Sequence, residues 1–252
     1  MKKLQNKVVI ITGAGSGMGE AISKLFSDEG AKIVAVDVND SALEKLTNEI
    51  TQKGGVAMKI NANVANEDEV SSVIKLAMDT FGTIDILVNN AGIMDDFYPV
   101  DLVTNDLWHK VMGINLDGPF FACRLVVPIM LKQGSGVIIN ISSVGGLNGT
   151  RAGAAYTASK HALIGLTKNI GFMYAKNGIR CNAIAPGGVN TNIGKSMKPN
   201  AFGYERCTSG GVNMPRMGDA LEIANTALFL ASNDSSFING SVLVADGGWT
   251  AY

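Results

Sequence analysis

Short apolar runs alternate with longer amphipathic segments along almost the whole chain. KVVIIT (7–12) is apolar from its second residue onward, which is typical of a strand buried on both faces of a parallel sheet. Six further runs predict strands at 32–37, 56–64, 85–90, 136–142, 179–186 and 241–246. Strands that alternate with helices imply right-handed crossovers, so we expect a single α/β domain over 1–252 with a doubly wound parallel sheet of seven strands.

The segments between these runs carry the signals of helices. We expect helices at 18–29, 41–53, after Asn66, at 104–132, at 154–176 and from Asp219 to Ala231. Three of them begin with the spacing of a capping box, in which a polar residue and a glutamate three positions later satisfy the free N–H groups. These pairs are Ser41 with Glu44, Asn66 with Glu69, and Asp219 with Glu222.

The segment 187–218 breaks the alternation. It is rich in Gly and Asn, and a loop of this length inside a compact domain is usually functional or disordered. Because it leaves the carboxyl end of a predicted strand, where ligands bind in open α/β sheets, we expect it to form a substrate lid. A surface insertion without function is the alternative.

The turn ITGAGSGMGE (11–20) joins the first strand to the first helix, but its glycines do not fit the dinucleotide pattern G-x-G-x-x-G. Counted from Gly13, the third glycine of that pattern falls on Met18, and the spacing present is instead that of Gly13, Gly17 and Gly19. Glycines here let the backbone approach a pyrophosphate beside a helix N-terminus. Alone, the turn is only a weak indication of a nucleotide.

Asp37 strengthens this interpretation. It ends the second predicted strand, where dinucleotide-binding Rossmann folds place a carboxylate that accepts hydrogen bonds from the adenosine ribose. The same charge would repel a 2′-phosphate, and none of the nearby residues Ala14, Ser16, Val38 and Asn39 is basic. We therefore expect NAD rather than NADP as the cofactor. The alternative, a strand-end residue that caps a turn, fits this spacing less well.

Tyr156 and Lys160 are four residues apart on a predicted helix, so both side chains lie on one face. An ammonium about 4 Å from a phenolate contributes roughly 4 kcal/mol at an effective dielectric near 20, which is about three pKa units. We therefore expect Lys160 to bring the pKa of Tyr156 close to neutral, where general acid–base catalysis is most efficient. Ser143, at the end of the fifth strand, is placed to hydrogen-bond a substrate oxygen.

Over essentially its whole length the chain resembles the short-chain dehydrogenase/reductase family. The motifs that carry the resemblance are TGAGSGMG (12–19), NNAG (89–92), GINLDG (113–118), NISS (140–143), YTASK (156–160) and PGGVNT (186–191). Their number and order make the match far more specific than any one of them.

The resemblance implies a role for each matching position. Tyr156 would exchange a proton with the substrate oxygen, and Lys160 would lower its pKa and hold the nicotinamide ribose. Ser143 would orient the carbonyl, and Asn115 would interrupt its helix and hold a water that connects Lys160 to solvent. The cofactor residues would be Gly13, Ser16, Gly17, Met18, Gly19, Asp37, Asn63, Val64, Asn90, Ala91, Gly92, Tyr156, Lys160, Pro186, Gly187, Val189 and Thr191.

One position departs from the family pattern. Asn63 precedes Val64 where the family commonly has an aspartate. An amide oxygen still accepts a hydrogen bond, so we expect a weakened contact with the adenine amino group.

Composition narrows the possible partners. With 252 residues, 46% of them hydrophobic, and a formal net charge of −1, the chain has no long-range attraction for nucleic acid or an anionic membrane. Three scattered cysteines favour reduced thiols and neither a disulfide framework nor a metal site. The apolar run 120–131 is broken by Arg124 and Pro128 and is too short to span a bilayer. We expect a cytoplasmic protein with no membrane segment.

These observations lead to one main hypothesis and two alternatives. The main one is an NAD-dependent oxidoreductase that interconverts a secondary alcohol and a ketone on a small molecule, as a homotetramer by analogy with the family. The first alternative is a 3-oxoacyl-[acyl-carrier-protein] reductase, disfavoured by Asp37 and by Phe172 and Met173, where such reductases tend to present basic residues. The second, a non-catalytic NAD-binding module, conflicts with the complete set Ser143, Tyr156, Lys160 and Asn115.

The substrate itself is open. We expect its pocket to be lined by 93–100, 144–151 and the loop 187–218. Asp95, Asp96, Asn148 and Arg151 are candidate contacts for a hydroxyl-rich or carboxylated molecule, and the alternative is that none of them contacts the substrate.

Overall fold

The computed structural model describes residues 2–194, 197–209 and 214–251, and strands and helices alternate along them. The strands are β1 (Val8–Thr12), β2 (Lys32–Asp37), β3 (Val56–Asn61), β4 (Ile86–Asn89), β5 (Gly136–Ile141), β6 (Ile179–Pro186), β7 (Val189–Asn190), β8 (Gly218–Asp219) and β9 (Val242–Ala245). The α-helices are α1 (Gly17–Asp28), α2 (Asp40–Gln52), α3 (Glu67–Phe81), α4 (Asn105–Met112), α5 (Gly118–Gln133), α6 (Ala154–Met173), α7 (Ala201–Thr208) and α8 (Ala220–Ala231).

Seven strands form one parallel sheet in the order β3-β2-β1-β4-β5-β6-β9. The expected doubly wound sheet in a single α/β domain is therefore confirmed. The strand order reverses between β1 and β4, and the crevice at the carboxyl ends of such a pair is where open sheets bind ligands. There the Thr12 hydroxyl accepts hydrogen bonds from the backbone N–H groups of Asn90, at 3.0 Å, and Ala91, at 3.1 Å.

The core consists of two apolar layers, one on each face of the sheet. Along β1, Val9 and Ile11 pack with α1, α2 and α8, whereas Val8 and Ile10 pack with α3 and α5. Successive strand residues point to opposite faces, so both sets are buried. This explains why the first strand is a continuous apolar run.

Two of the three predicted capping boxes differ from the structure. Helix α2 begins one residue early because the Asn39 side chain accepts a hydrogen bond from Ala42 N at 3.1 Å, so the box of Ser41 with Glu44 is wrong. Asn66 does cap α3, but the Glu69 carboxylate accepts from Asn63 N. The third box is present, with Asp219 N donating to Glu222 at 2.8 Å.

The predicted helix at 104–132 is divided. A π-helix over Gly113–Asp117 separates α4 from α5 and places Asn115 at the interruption. By length and hydropathy the joined segment Asn105–Gln133 could cross a membrane, which the shorter run 120–131 could not. In the fold it packs against α3 and α6, with Val126 and Met130 buried in the core.

The segment 187–218 is more regular than a loop. It contains β7, a short 3₁₀-helix over Asn192–Gly194, α7 and β8, and β7 pairs with β8 in a second, two-stranded sheet. Residues 195–196 and 210–213 of this segment lie outside the described ranges. Helix α7 contacts the chain after β4, where the rings of Phe97 and Tyr204 meet edge to face at 5.3 Å. Its role as a substrate lid stays a prediction.

Candidate active site

Each glycine of the family spacing at the first turn has its own physical requirement. Gly13 and Gly17 have positive φ angles of 64° and 57°, which side chains other than glycine rarely adopt. A Cβ on Gly19 would lie 2.1 Å from the Gly13 carbonyl oxygen, so only glycine lets the helix start this close to the turn. The turn is shaped by its backbone.

Gly15 has a function that the sequence did not suggest. Its backbone N–H donates to Asp37 Oδ2 at 2.9 Å, and Asn39 N donates to Oδ1 of the same carboxylate at 3.0 Å. A Cβ on Gly15 would lie 3.0 Å from the Asp37 Cγ. The glycine turn and the carboxylate are thus one unit in which the backbone orients Asp37.

A cavity of about 290 Å³ extends over this unit at the carboxyl ends of β1, β2 and β4. Of the predicted cofactor residues it is lined by Gly13, Ser16, Gly17, Met18, Asp37, Asn63, Val64, Asn90, Ala91, Gly92 and Thr191. It is also lined by residues that the sequence did not single out: Val38, Ala62, Ile93, Ile114, Asn192 and Ile193. Gly19, Tyr156, Lys160, Pro186, Gly187 and Val189 are not part of its lining.

A second cavity, of about 500 Å³, lies at the opposite end of the sheet. It is lined by residues at the amino ends of the strands, including Asp85, Gly136 and Arg180. Ligands of open α/β sheets bind at the carboxyl ends, so the smaller cavity is the candidate cofactor site.

Asn90 tests whether the smaller cavity suits a nucleotide. Its side-chain N–H groups donate to the Thr12 and Gly13 carbonyl oxygens at 2.9 and 3.1 Å, which fixes the amide. Its Oδ1 is buried and has no hydrogen-bond partner among the described residues. A buried acceptor without a partner is costly unless a ligand supplies the donor. Together with the glycine turn and Asp37, it fits a polar, hydroxyl-bearing nucleotide.

Asn63 is placed at the cavity but is partly engaged already. Its side-chain oxygen accepts a hydrogen bond from Ala65 N at 3.0 Å, in a local turn. An amide oxygen has a second lone pair, so a contact with adenine stays a prediction.

The catalytic candidates come from three elements that meet beside Gly92. Tyr156 and Lys160 lie on α6, Asn115 on the π-helix, and Ser143 just after β5. A Cβ on Gly92 would lie 3.4 Å from both Lys160 Nζ and Asn115 Oδ1. The structure therefore brings together all four residues that the sequence proposed.

Asn115 is fully buried and bonded to the chain after β4. Its Oδ1 accepts from Ile93 N at 2.9 Å, and its Nδ2 donates to Ile93 O at 3.0 Å and to Ser159 Oγ at 3.2 Å. The helix interruption thus brings α4 and α5 against both β4 and α6. That Asn115 also holds a water stays a prediction.

The expected pKa of Tyr156 is wrong for the protein without cofactor. The Lys160 Nζ lies 5.6 Å from the tyrosine ring centroid and donates to the Ile141 carbonyl at 2.9 Å. Burial raises the pKa of Tyr156 to about 12, although the nearby Ser143 hydroxyl opposes the change. Burial also lowers the pKa of Lys160 to about 8. Desolvation disfavours both charges, and it outweighs the attraction on which the expectation was based.

Two serines support the pair and were missed by sequence reasoning. Ser142 Oγ donates to the Lys160 carbonyl at 3.1 Å, and Ser159 Oγ donates to the Tyr156 carbonyl at 2.8 Å. Both side chains are buried. Their only signal in the sequence is that each precedes a proposed catalytic residue.

The structure sorts the expected substrate contacts. Asp95 is fully buried, and both of its oxygens accept backbone N–H groups, so the expectation that it meets substrate is wrong. Asn148 donates to the Val144 carbonyl at 3.2 Å. The Arg151 guanidinium lies over the Trp249 ring at 4.1 Å from its centroid.

The last predicted cofactor residues follow β6. Gly187 N donates to the Ala245 carbonyl at 3.0 Å and joins this segment to β9. Thr191 comes close to the glycine turn, since a Cβ on Gly17 would lie 3.1 Å from the Thr191 Cβ. Within the part of the chain that the structure describes, no group of three His, Cys, Asp or Glu side chains is placed to hold a metal.

Comparison with known proteins agrees with this geometry. The family model adh_short_C2, described as Enoyl-(Acyl carrier protein) reductase, matches residues 13–250. A 3beta-hydroxysteroid dehydrogenase 2 of Eggerthella lenta is 44% identical over 251 residues, which are 99% of this chain and 96% of that protein. A 3-oxoacyl-[acyl-carrier-protein] reductase of Thermotoga maritima is 38% identical over 246 residues, 98% of each chain. The chain therefore belongs to the short-chain dehydrogenase/reductase family of oxidoreductases.

Solved structures of other proteins also resemble this chain over nearly its whole length. Levodione reductase superposes with a TM-score of 0.91 at 37% identity, covering 99% of this chain and 100% of that one. A putative NAD(P)-dependent gluconate 5-dehydrogenase from Beutenbergia cavernae, with NADP bound at low occupancy, has a TM-score of 0.89 at 34% identity over 99% of each chain. This chain and both neighbours share the fold over nearly their whole length. The shared fold does not decide between NAD and NADP.

Proposed function

We propose that the protein is an NAD-dependent oxidoreductase that interconverts a secondary alcohol and a ketone. The observation that carries the choice of cofactor is Asp37, whose carboxylate is oriented by Gly15 N and Asn39 N at the wall of the cavity. Among the residues that the structure describes, those that line this cavity include no lysine or arginine. A 2′-phosphate would meet an oriented negative charge with no cation among these lining residues to balance it, whereas ribose hydroxyls would find an acceptor.

The cofactor would lie across the switch point between β1 and β4. The glycine turn and the N-terminus of α1 would hold the pyrophosphate, Asp37 the adenosine ribose, and Asn90 a hydroxyl or amide donor through its free Oδ1. Pro186, Gly187, Val189 and Thr191 would flank the nicotinamide end. When bound, NAD supplies or accepts the hydride.

The chain's own residues supply position and a proton. In the direction of reduction the Tyr156 phenol would donate its proton to the carbonyl oxygen, and in the direction of oxidation the phenolate would take the proton of the alcohol. A Cβ on Gly145 would lie 3.3 Å from Tyr156 Cε1 and 3.4 Å from Ser143 Oγ, so the two side chains are neighbours, and the Ser143 hydroxyl would hold the same oxygen. Lys160 is anchored to the Ile141 carbonyl at 2.9 Å, which leaves its other N–H groups for the ribose.

An acyl-carrier-protein reductase is the second candidate, favoured by the similarity to the Thermotoga maritima enzyme. Two features weigh against it. Asp37 disfavours NADP, and the end of α6 presents Phe172 and Met173, which are 83% and 59% exposed, where basic residues would suit an acidic carrier. We also propose a cytoplasmic homotetramer with a small-molecule substrate, in which residues 187–218 cover the active site.

A panel of ketones and polyols assayed in parallel with NAD(H) and NADP(H) tests this function. We expect turnover of at least one secondary alcohol with NAD and a clear preference for NAD over NADP. A strong preference for NADP would overturn the argument from Asp37. Activity confined to an acyl-carrier-protein thioester would favour the second candidate.

A further inference from the structure

A buried carboxylate lies beside the proposed catalytic tyrosine without being part of the proposed chemistry. Asp95 belongs to the connection between β4 and α4, and its side chain is 0% exposed. Oδ1 accepts from Gly153 N at 3.0 Å and from Phe97 N at 3.2 Å, and Oδ2 accepts from Tyr156 N at 2.9 Å. Two of these three donors belong to the start of α6.

Helix α6 has no side-chain cap of its own. Gly153 occupies the N-cap position and has no side chain with which to satisfy the free N–H groups of the first turn. Asp95 replaces that cap from another part of the chain, and Ala154 N donates to the Tyr98 carbonyl at 3.0 Å. A negative charge at this end also interacts favourably with the helix dipole.

The contact between Asp95 and the start of α6 leaves no room for a side chain at position 153. A Cβ on Gly153 would lie 2.6 Å from Asp95 Oδ2 and 2.6 Å from both Tyr98 N and Tyr98 O. The glycine at the N-cap is therefore the counterpart of the carboxylate. Position 153 must be glycine for the cap from Asp95 to reach the helix.

The turn that carries Asp95 is held in an uncommon conformation. Asp96 and Phe97 have positive φ angles of 51° and 59°, which residues with a side chain rarely adopt. Such conformations persist only where surrounding contacts enforce them, and they are concentrated at functional sites. Here the contacts are those of Asp95 with α6 and that of Asn200 N with the Asp96 carbonyl at 2.8 Å.

We propose that Asp95 is a positioning residue for Tyr156: by capping α6 from outside, it fixes the first turn of the helix and thereby the place of the phenol beside Ser143. The expected effect of Asp95 on catalysis rests on the proposed function. The capping of α6 by Asp95 rests on the hydrogen bonds alone. Asp95 touches neither substrate nor cofactor. It acts through the backbone of the residue that does.

Its charge has a second effect on the tyrosine. The Asp95 carboxylate raises the pKa of Tyr156, in addition to the larger effect of burial. Its own pKa is raised by burial, which the three backbone hydrogen bonds oppose. Charged and titratable groups near this pair include Lys160, whose Nζ lies 5.6 Å from the tyrosine ring centroid, and the adjacent Asp96. They also include Cys207, whose pKa is raised by burial and by the Asp95 charge and lowered by Arg151. The charge therefore helps to keep the phenol in its protonated form.

The variant Asp95→Asn tests the proposal with almost no change of volume. The asparagine amide has only one oxygen that can accept a hydrogen bond. Its NH₂ group would therefore point at the N–H of Gly153 or Tyr156, and because both groups are donors, that hydrogen bond is lost. We expect kcat to fall about tenfold to hundredfold, as the loss of a buried hydrogen bond near the reacting group implies, with the KM and the Kd of NAD unchanged. The limb of the pH–kcat profile that reports Tyr156 should move to lower pH because the nearby charge is gone.

Asp85→Asn is the matched control. Asp85 also accepts a backbone N–H, from Val8 at 2.9 Å, and its side chain is 16% exposed, but it lies at the amino end of the sheet. We expect a comparable loss of stability with unchanged kcat and an unchanged pH profile. If the two variants lower kcat equally, or if Asp95→Asn leaves both kcat and the pH limb unchanged, the positioning role is overturned.

Amide hydrogen exchange separates this proposal from the proposed function. In Asp95→Asn, the peptide over 153–157 should exchange faster, and the peptides of α8 should not. If wild-type enzyme turns over nothing in the panel but this exchange difference is present, the proposed function fails and the cap stands. Should Asp95→Asn not fold, Asp95→Ser removes the carboxylate without a buried NH₂ group and should lower kcat to the same extent. Unchanged exchange in the folded variant contradicts the cap directly.

Discussion

The cofactor end and the catalytic end of the site are built in different ways. At the cofactor end, Gly13, Gly15 and Asp37 lie within 25 residues of one another, and the contacts that shape the site are made by backbone atoms. At the catalytic end, Asn115, Ser143 and Lys160 come from separate elements and meet only in the folded chain, where the side chains of Asn115 and Lys160 are buried.

The two ends differ because binding a cofactor and transferring a proton have different physical requirements. The cofactor cavity needs close approach and a few oriented polar groups, which a turn next to a helix N-terminus supplies locally. The catalytic end needs altered proton affinities, and these come from burial, which depends on every element packed around the group. Sequence motifs therefore predict the shape of the glycine turn at the cofactor end, whereas at the catalytic end they predict only which residues take part.

Tyr156→Phe is the sharpest way to break the comparison, because it removes chemistry and leaves the cofactor end intact. We expect kcat to fall about 10³-fold, within the range for loss of a general acid, while the binding of NAD is retained. Turnover in the assay panel and fluorescence titration with NADH measure the two effects. Turnover equal to that of the wild type would contradict the proposed role of the phenol.

Gly19→Ala should have the opposite effect: it should disturb the cofactor end and leave the catalytic residues in place. Its Cβ would lie 2.1 Å from the Gly13 carbonyl oxygen, so the start of α1 must move away from the turn. We expect the Kd for NADH to rise more than about tenfold, with a loss of stability typical of overpacking, about 1–3 kcal/mol. Gly165→Ala on α6, where no atom lies within 4 Å of the added Cβ, is the control and should bind NADH normally. Equal affinities in the two variants would refute the close approach.

Asp37→Ser should change the choice of cofactor more than the rate. Loss of the charge removes repulsion of the 2′-phosphate, and the ribose loses an acceptor. We expect the ratio of kcat/KM for NADP to that for NAD to rise about tenfold to hundredfold, in line with one charged hydrogen bond. Asp40→Asn, at an exposed carboxylate paired with Lys59, should leave the ratio unchanged. A constant ratio in Asp37→Ser would remove the basis for assigning NAD.

The smallest effect concerns Lys160 and is seen in stability. Its pKa is lowered from 10.5 to about 8 in the folded protein, so between these values the unfolded chain binds more protons and stability rises with pH. Relative to Lys160→Met, the wild type should gain about 2 kcal/mol in free energy of unfolding between pH 8 and pH 10. Urea titrations of both proteins across this range measure the gain. A difference that does not depend on pH would mean that the amine is solvated.

Sequence reasoning succeeded where a pattern has a local cause. The continuous apolar run at β1 predicted a strand because both faces of the sheet are covered there, and the spacing of Gly13, Gly17 and Gly19 predicted a turn that only glycine allows. The capping signal at Asp219 and Glu222 was correct for the same reason. At Ser41 it failed because Asn39, two residues earlier, competes for the same free N–H groups.

The remaining errors come from distant contacts. The pKa of Tyr156 was expected to fall because the spacing of Tyr156 and Lys160 puts two side chains on one face, but it says nothing about how far water is excluded from them. Asp95 was a candidate substrate contact because it lies in the segment 93–100, which was expected to line the pocket. In the fold, the first turn of α6 packs against Asp95, and its backbone N–H groups occupy the carboxylate.

The sequence by itself determined the class of fold and the family and predicted the members of the site, since periodicity, glycine spacing and motif order are properties of the chain. Tertiary structure alone decided the orientation of Asp37 by Gly15, the directions in which burial shifts the pKa values of Tyr156 and Lys160, and the capping of α6 by Asp95. These depend on burial and on which backbone N–H groups a side chain reaches, and both arise only when segments far apart in sequence pack together.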